Sequence, residues 1–207
     1  MVLDKNPEQI IDDNLTYIQN ELEQNNLNII LCTEPFHKTE FLYRLIDSVN
    51  IPVIFVDLDL LYTGYIESGM IQRKKDMMMF NPNKIDWKEK LVKIISKISQ
   101  EKFLVIIDSF NGVYTLFDDL ESARFINASM MLISSLGRQS RSSIVVTAMA
   151  RRKDDSEWVI SPGGKHIIKS EKTRIYFVKK SVDDLVIGVL DKTGINSKTF
   201  KIGKKII

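Results

Sequence analysis

Four short apolar runs rich in β-branched residues alternate with helical stripes over the first 147 residues, and this alternation is what most constrains the fold. The runs are Leu27–Cys32, Pro52–Leu58, Phe103–Ile107 and Ser143–Thr147. Each is too short for a helix and lacks the period-two alternation of a strand with one wet face, so each reads as a strand buried on both sides. Between them, residues 8–24 place Ile11, Leu15, Ile18 and Leu22 on one helical face. Residues 40–49 do the same with Phe41, Leu42, Leu45 and Ile46, and a third stripe runs through Trp87, Leu91, Ile94, Ile95 and Ile98. Asp119–Leu136 reads as a long helix stopped by Gly137. Tyr62–Asn83, with two glycines, Pro82 and the run Met77 to Met79, reads as loop with a short helix, the methionines acting as a flexible core plug. After a polar connecting loop over 149–171, three strands close the chain: Thr173–Val178, Leu185–Leu190 and Thr199–Ile202. The expectation is an α/β fold with a mixed sheet, its core parallel, its C-terminal strands antiparallel, and helices on both faces.

Composition narrows the functional classes. At 207 residues and 44% hydrophobic content the chain can bury a sizeable core. One cysteine excludes an internal disulfide framework and fits a reducing compartment; with only two histidines it also excludes a zinc site made of Cys and His alone. No apolar run reaches the ~18–20 residues that span a bilayer, and the polar start has no signal-peptide core, so a cytoplasmic location without membrane partners is expected. The formal net charge of +2 conceals a division. Residues 1–137 carry 13 basic and 20 acidic side chains, whereas residues 138–207 carry 16 basic and 7 acidic. A polyanion would meet the C-terminal part; the alternative is that basic residues coat exposed strand faces.

In a sheet of this class ligands sit beyond the carboxyl ends of the strands. After the first strand comes Cys32-Thr33-Glu34-Pro35-Phe36-His37-Lys38-Thr39, which has the length and the Lys-Thr ending of the phosphate-binding pattern GxxxxGK[ST]. Both glycines are missing: Cys32 stands at the first and His37 at the second. That loop grips phosphate with backbone N–H groups, and glycine allows the positive φ and close approach it needs. Pro35 removes one donor and Glu34 adds negative charge. The second strand ends in Asp57-Leu58-Asp59, and the third in Asp108-Ser109, an apolar run closing on an acid as a Mg²⁺-holding strand does. The fourth ends in Thr147-Ala148-Met149.

Taken in this order, the strand ends resemble those of the RecA/RadA recombinase superfamily, in particular core-only paralogs of the RadB-like or KaiC-like kind, over roughly residues 25–207. The resemblance implies a RecA-like core at 27–207 preceded by a helical segment at 1–26. It implies a degenerate nucleotide site at Lys38, Thr39 and Asp108, with Asp108 a metal ligand only if Mg²⁺ is bound. Asp59 falls where the family carries the acid that positions the hydrolytic water, one methylene shorter than the usual Glu. Ser122-Ala123-Arg124 resembles the helix start after the family's first DNA-binding loop, and Met149 stands where a nucleotide-sensing Gln is usual. The segment with Arg151, Arg152, Lys153, Trp158, Lys165 and Lys169 falls at the second DNA-binding loop. Basic groups neutralise phosphates there and an aromatic can stack on a base. Asp154, Asp155 and Glu157 in the same stretch leave a plainly solvated loop as the alternative.

Together these imply a non-hydrolysing paralog: a pseudo-ATPase serving as an accessory factor in DNA recombination or repair. Its expected partners are single-stranded DNA, a recombinase or another RecA-fold protein, and no cofactor is expected. Two alternatives stand beside this: a KaiC-like interaction scaffold or signalling subunit without DNA, and an atypical P-loop ATPase using ATP and Mg²⁺.

Overall fold

The computed structural model describes residues 7–25, 27–112, 120–152, 158–160, 173–182, 184–190 and 196–203. Strands β1 (Leu27–Cys32), β2 (Val53–Asp57), β3 (Met77–Phe80), β4 (Leu104–Asp108) and β5 (Ser143–Arg152) are all parallel, and β7 (Thr173–Ser181) joins them beside β1. Then β8 (Asp184–Leu190) and β9 (Asn196–Ile202) add antiparallel at the edge. The order across the sheet is β3-β2-β4-β5-β1-β7-β8-β9, with β6 (Trp158–Ile160) paired antiparallel to the far end of β5. The mixed sheet expected from the sequence is the sheet observed.

Alternate residues of the central strands feed two separate cores. Ile30, Cys32, Val53, Phe55, Leu104, Ile106 and Val145 pack on one face with α1 (Pro7–Gln24), α2 (Pro35–Ser48) and α3 (Leu61–Glu67). Ile29, Leu31, Ile54, Val56, Val105, Ile107 and Val146 pack on the other with α4 (Trp87–Ile98) and α5 (Leu120–Ser140). This two-sided burial is why the runs read as continuously apolar. Leu15, Ile18 and Leu22 of α1 share the first core, so the helix before residue 27 is bonded to the sheet it precedes. Asn28, fully buried in β1, strengthens that join by donating from Nδ2 to the carbonyls of Leu22 (3.0 Å) and Ile144 (3.2 Å).

Three local expectations need correction. The methionine run is no loop: Met77 to Met79 form edge strand β3 with Phe80, and successive side chains go to opposite cores. Methionine's weak strand preference hid this; pairing to β2 supplied it. Gly137 does not stop α5, which continues to Ser140. A Cβ at Gly137 would lie 2.7 Å from Ile144 Cδ1, so the glycine lets the helix approach β5. Finally, 149–171 is not loop throughout, because β5 runs to Arg152 and pairs with β6. Among the described residues no helix is long and apolar enough to cross a membrane.

Candidate functional site

The carboxyl ends of β1, β2, β4 and β5 bring the singled-out polar residues together. Only Thr33 and Glu34 separate the end of β1 from the start of α2. Proline at the first turn sets the helical φ early and lacks only an N–H that the helix would leave unused. The helix therefore begins inside the eight-residue stretch that has the length of a phosphate loop, and the Lys38 N–H is already bonded to the Glu34 carbonyl (3.2 Å). The Thr39 hydroxyl likewise turns back on its own helix, donating to the Pro35 carbonyl (3.1 Å).

Placed one turn into α2, Lys38 points down among the strand ends and is only 1% exposed. Its ammonium lies 2.8 Å from Asp59 Oδ2 and 2.7 Å from Asp108 Oδ1. Asp108, the last residue of β4, is fully buried and also accepts a hydrogen bond from the Thr147 hydroxyl of β5. Asp57, paired in register with Asp108 at the end of β2, is equally buried. Its Oδ2 accepts from the Thr63 N–H (2.7 Å) and hydroxyl (2.6 Å), and that hydroxyl accepts in turn from Asn81 Nδ2 (3.1 Å). Asp59 is the open member, with 28% of its side chain exposed. Its Oδ1 accepts from the Leu61 N–H (3.2 Å) just past Leu60, which takes a left-handed φ of 60° to start α3.

The electrostatics follow from burial and from Lys38. Burial pushes the Asp108 carboxyl up to about 6, against the pull of Lys38 and of the Lys38 and Thr147 hydrogen bonds. Burial also raises Asp57, with the Thr63 bonds opposing. For Asp59 burial acts upward too, but attraction to Lys38 and the donated hydrogen bonds bring it below the usual carboxylate range. Burial would lower the Lys38 ammonium, yet Asp108 and Asp59 together hold it above its ordinary value. The result is a buried cation fixed between two acids. Cys32, fully buried at the end of β1, has its thiol driven upward by burial, and this makes it an inert core residue.

Sequence reasoning missed the groups that hold this end of the sheet together. Gly112 lets the segment after β4 pass against the turn after β2: a Cβ there would sit 2.9 Å from the Leu58 backbone. Asn111 Oδ1 accepts the Met149 N–H (2.7 Å), tying that segment to β5. Thr63, which holds Asp57, had no spacing signal, since it comes from the helix after the turn. A groove of about 670 Å³ lined by Asp47, Lys74, Lys97 and Phe103 opens at the opposite, amino end of the strands, away from these residues.

The basic segment is divided. Arg151 and Arg152 end β5 and stand at register positions opposite Val159 and Trp158 of β6. This hairpin extends past Met149, the last residue of β5 that pairs with β1. Lys153, Lys165 and Lys169 lie outside the described residues.

No family model matches the sequence, and no curated protein matches it. Solved structures do match by fold. The ATPase domain of G40p aligns with a TM-score of 0.60 at 10% identity, covering 92% of this chain and 86% of that one. The crystal structure of the RadB recombinase aligns with a TM-score of 0.56 at 12% identity, covering 86% of this chain and 87% of that one. Identity this low speaks for architecture alone, and on that architecture the sheet order, the two helical layers and these alignments agree: the chain has a RecA-like fold.

Proposed function

We propose that this chain is a non-hydrolysing RecA-fold accessory factor in DNA recombination or repair, which binds single-stranded DNA, a recombinase, or both through its basic C-terminal part. The observation that carries the reading is the engagement of Lys38. In a phosphate-binding loop the lysine reaches bound phosphates and the following hydroxyl reaches Mg²⁺. Here the ammonium is held between Asp59 and Asp108, and the Thr39 hydroxyl is bonded to Pro35. The two-residue connection from β1 to α2 supplies few free N–H groups, and Glu34 stands at the helix entrance. These residues do not fit a Mg²⁺–triphosphate in the ordinary way, so no catalytic step is assigned to Asp59.

The nucleic-acid half of the reading rests on charge and placement. Residues 138–207 carry 16 basic side chains against 7 acidic, and the β5–β6 pairing sets Arg151 in register with Val159 and Arg152 with Trp158, past the last rung between β5 and β1. Binding driven by phosphate neutralisation falls linearly in log affinity with log salt, with a slope of about −0.7 per phosphate on single strands. Fluorescence anisotropy with a labelled single-stranded oligonucleotide at two salt concentrations tests this. The expected result is a steep loss of affinity with salt, and a slope shallower by about 1.4 in the Arg151→Ala/Arg152→Ala double variant. Undetectable or salt-independent binding removes DNA from the proposal.

A further inference from the structure

The acids at the strand ends form a pocket whose charge is only partly balanced. Asp57, Asp59 and Asp108 each offer a carboxylate oxygen, and the three lie within 4.8 Å of one another. Two of the residues, Asp57 and Asp108, are completely buried. Each of these two also keeps an oxygen, Asp57 Oδ1 and Asp108 Oδ2, buried with no hydrogen-bond partner among the described residues. A buried carboxylate oxygen without a donor is costly, and carboxylates this close resist ionising together unless a cation is shared among them. The ammonium of Lys38 supplies one positive charge, bonded to Asp59 and Asp108. The ionised cluster therefore keeps a formal surplus of two negative charges, the charge of one hard divalent ion, and carboxylate oxygens are the ligands such ions prefer.

We infer that Asp57, Asp59 and Asp108 form a nucleotide-independent divalent-cation pocket in which the Lys38 ammonium occupies the place of the metal. The lysine acts as a tethered counter-ion: it neutralises the pocket within the chain and bars a free cation from it. This rests on the reading that Lys38 has no phosphate to hold. It goes further in assigning the pocket a ligand class of its own, which removal of one side chain uncovers. Loss of the ammonium frees Asp59 Oδ2 and Asp108 Oδ1 for an incoming ion beside the Asp57 carboxylate, with Asp59 on the open side as the entry.

The test compares the wild-type chain with Lys38→Met, which keeps an unbranched side chain one atom shorter and deletes its charge, using Mn²⁺ alone as the probe. Mn²⁺ binding is followed by its electron paramagnetic resonance signal and by thermal unfolding. The expected result is one tightly held Mn²⁺ and a raised melting temperature in Lys38→Met, with no response in the wild type and none in Lys38→Met/Asp57→Asn/Asp108→Asn. If Lys38→Met folds only when Mn²⁺ is present, the inference is supported, because metal then replaces the ammonium. Lys38→Met that binds no Mn²⁺, or stays unfolded with it, overturns the inference; so does a wild type that binds Mn²⁺ as well as the variant. A parallel titration of the wild type with Mg²⁺–ATP separates the two levels. Stabilisation there sinks the proposed function, whereas failure of Lys38→Met alone sinks only the tethered counter-ion.

Discussion

The two charged regions at the carboxyl end of the sheet are built on opposite plans. Around Lys38 the charges face inward: the buried ammonium is held by buried Asp108 and by Asp59, Asp108 accepts from Thr147 as well, and among the three acids only Asp59 opens to solvent. On the β5–β6 hairpin two consecutive arginines stand past the last rung that joins β5 to β1. The first plan ties charge to stability, so its mutations should be read in unfolding curves. On the proposed function the second serves a partner, so its mutations should be read in binding. A chain that used its strand ends to hold a nucleotide would show the reverse at Lys38, where a loss of binding would come with little loss of stability.

The sharpest way to break that contrast is Lys38→Ala. Removing one member of a buried ion pair strands the other charge and typically costs about 3–5 kcal/mol. Urea denaturation should show a loss of that size, and a change under ~1 kcal/mol would place Lys38 outside the stabilising network. Thr147→Val is expected to cost less, about 1–3 kcal/mol, since it removes a donor from fully buried Asp108 while keeping the side-chain shape. The next effect is pH-dependent. Asp108 titrates at about 6 in the folded chain against 3.8 when unperturbed, so between those values the folded state holds a proton that the unfolded state has lost. Its contribution is fully present below 3.8 and is lost as pH rises through about 6. Wild-type stability should therefore carry a component that declines over this range and is missing in Asp108→Asn, and identical pH profiles would contradict it. If the hairpin arginines serve a partner as proposed, the smallest stability effect belongs to Arg151→Ala/Arg152→Ala, within about 0.5 kcal/mol by thermal unfolding. A large destabilisation there would erase the difference between the regions.

Much of the fold was legible because burial on both faces of a sheet leaves a strong signature. Runs such as Leu27–Cys32 and Phe103–Ile107 could hardly be anything but central strands, and their order implied a parallel core. What escaped were features decided by partners distant in sequence. Met77–Phe80 becomes a strand because β2 pairs with it, and Gly137 sits mid-helix because Ile144 needs the space. The site was legible as a list of strand-end acids and a lysine, since fold class alone says where such residues converge. Their arrangement was not. The spacing of Lys38 and Thr39 suggested a lysine free to face a ligand, whereas Pro35 starts the helix early and directs that lysine into the acids. Thr63, Asn111 and Gly112 carried no pattern at all, because each acts through one contact on another element.

The central claim is that Lys38 is committed to Asp59 and Asp108 and not to a phosphate. Isothermal titration of the full chain with Mg²⁺–ATP tests it most directly. The account predicts no saturable heat and no change in melting temperature; a stoichiometric isotherm that disappears in Lys38→Ala, with that variant still folded, would contradict it.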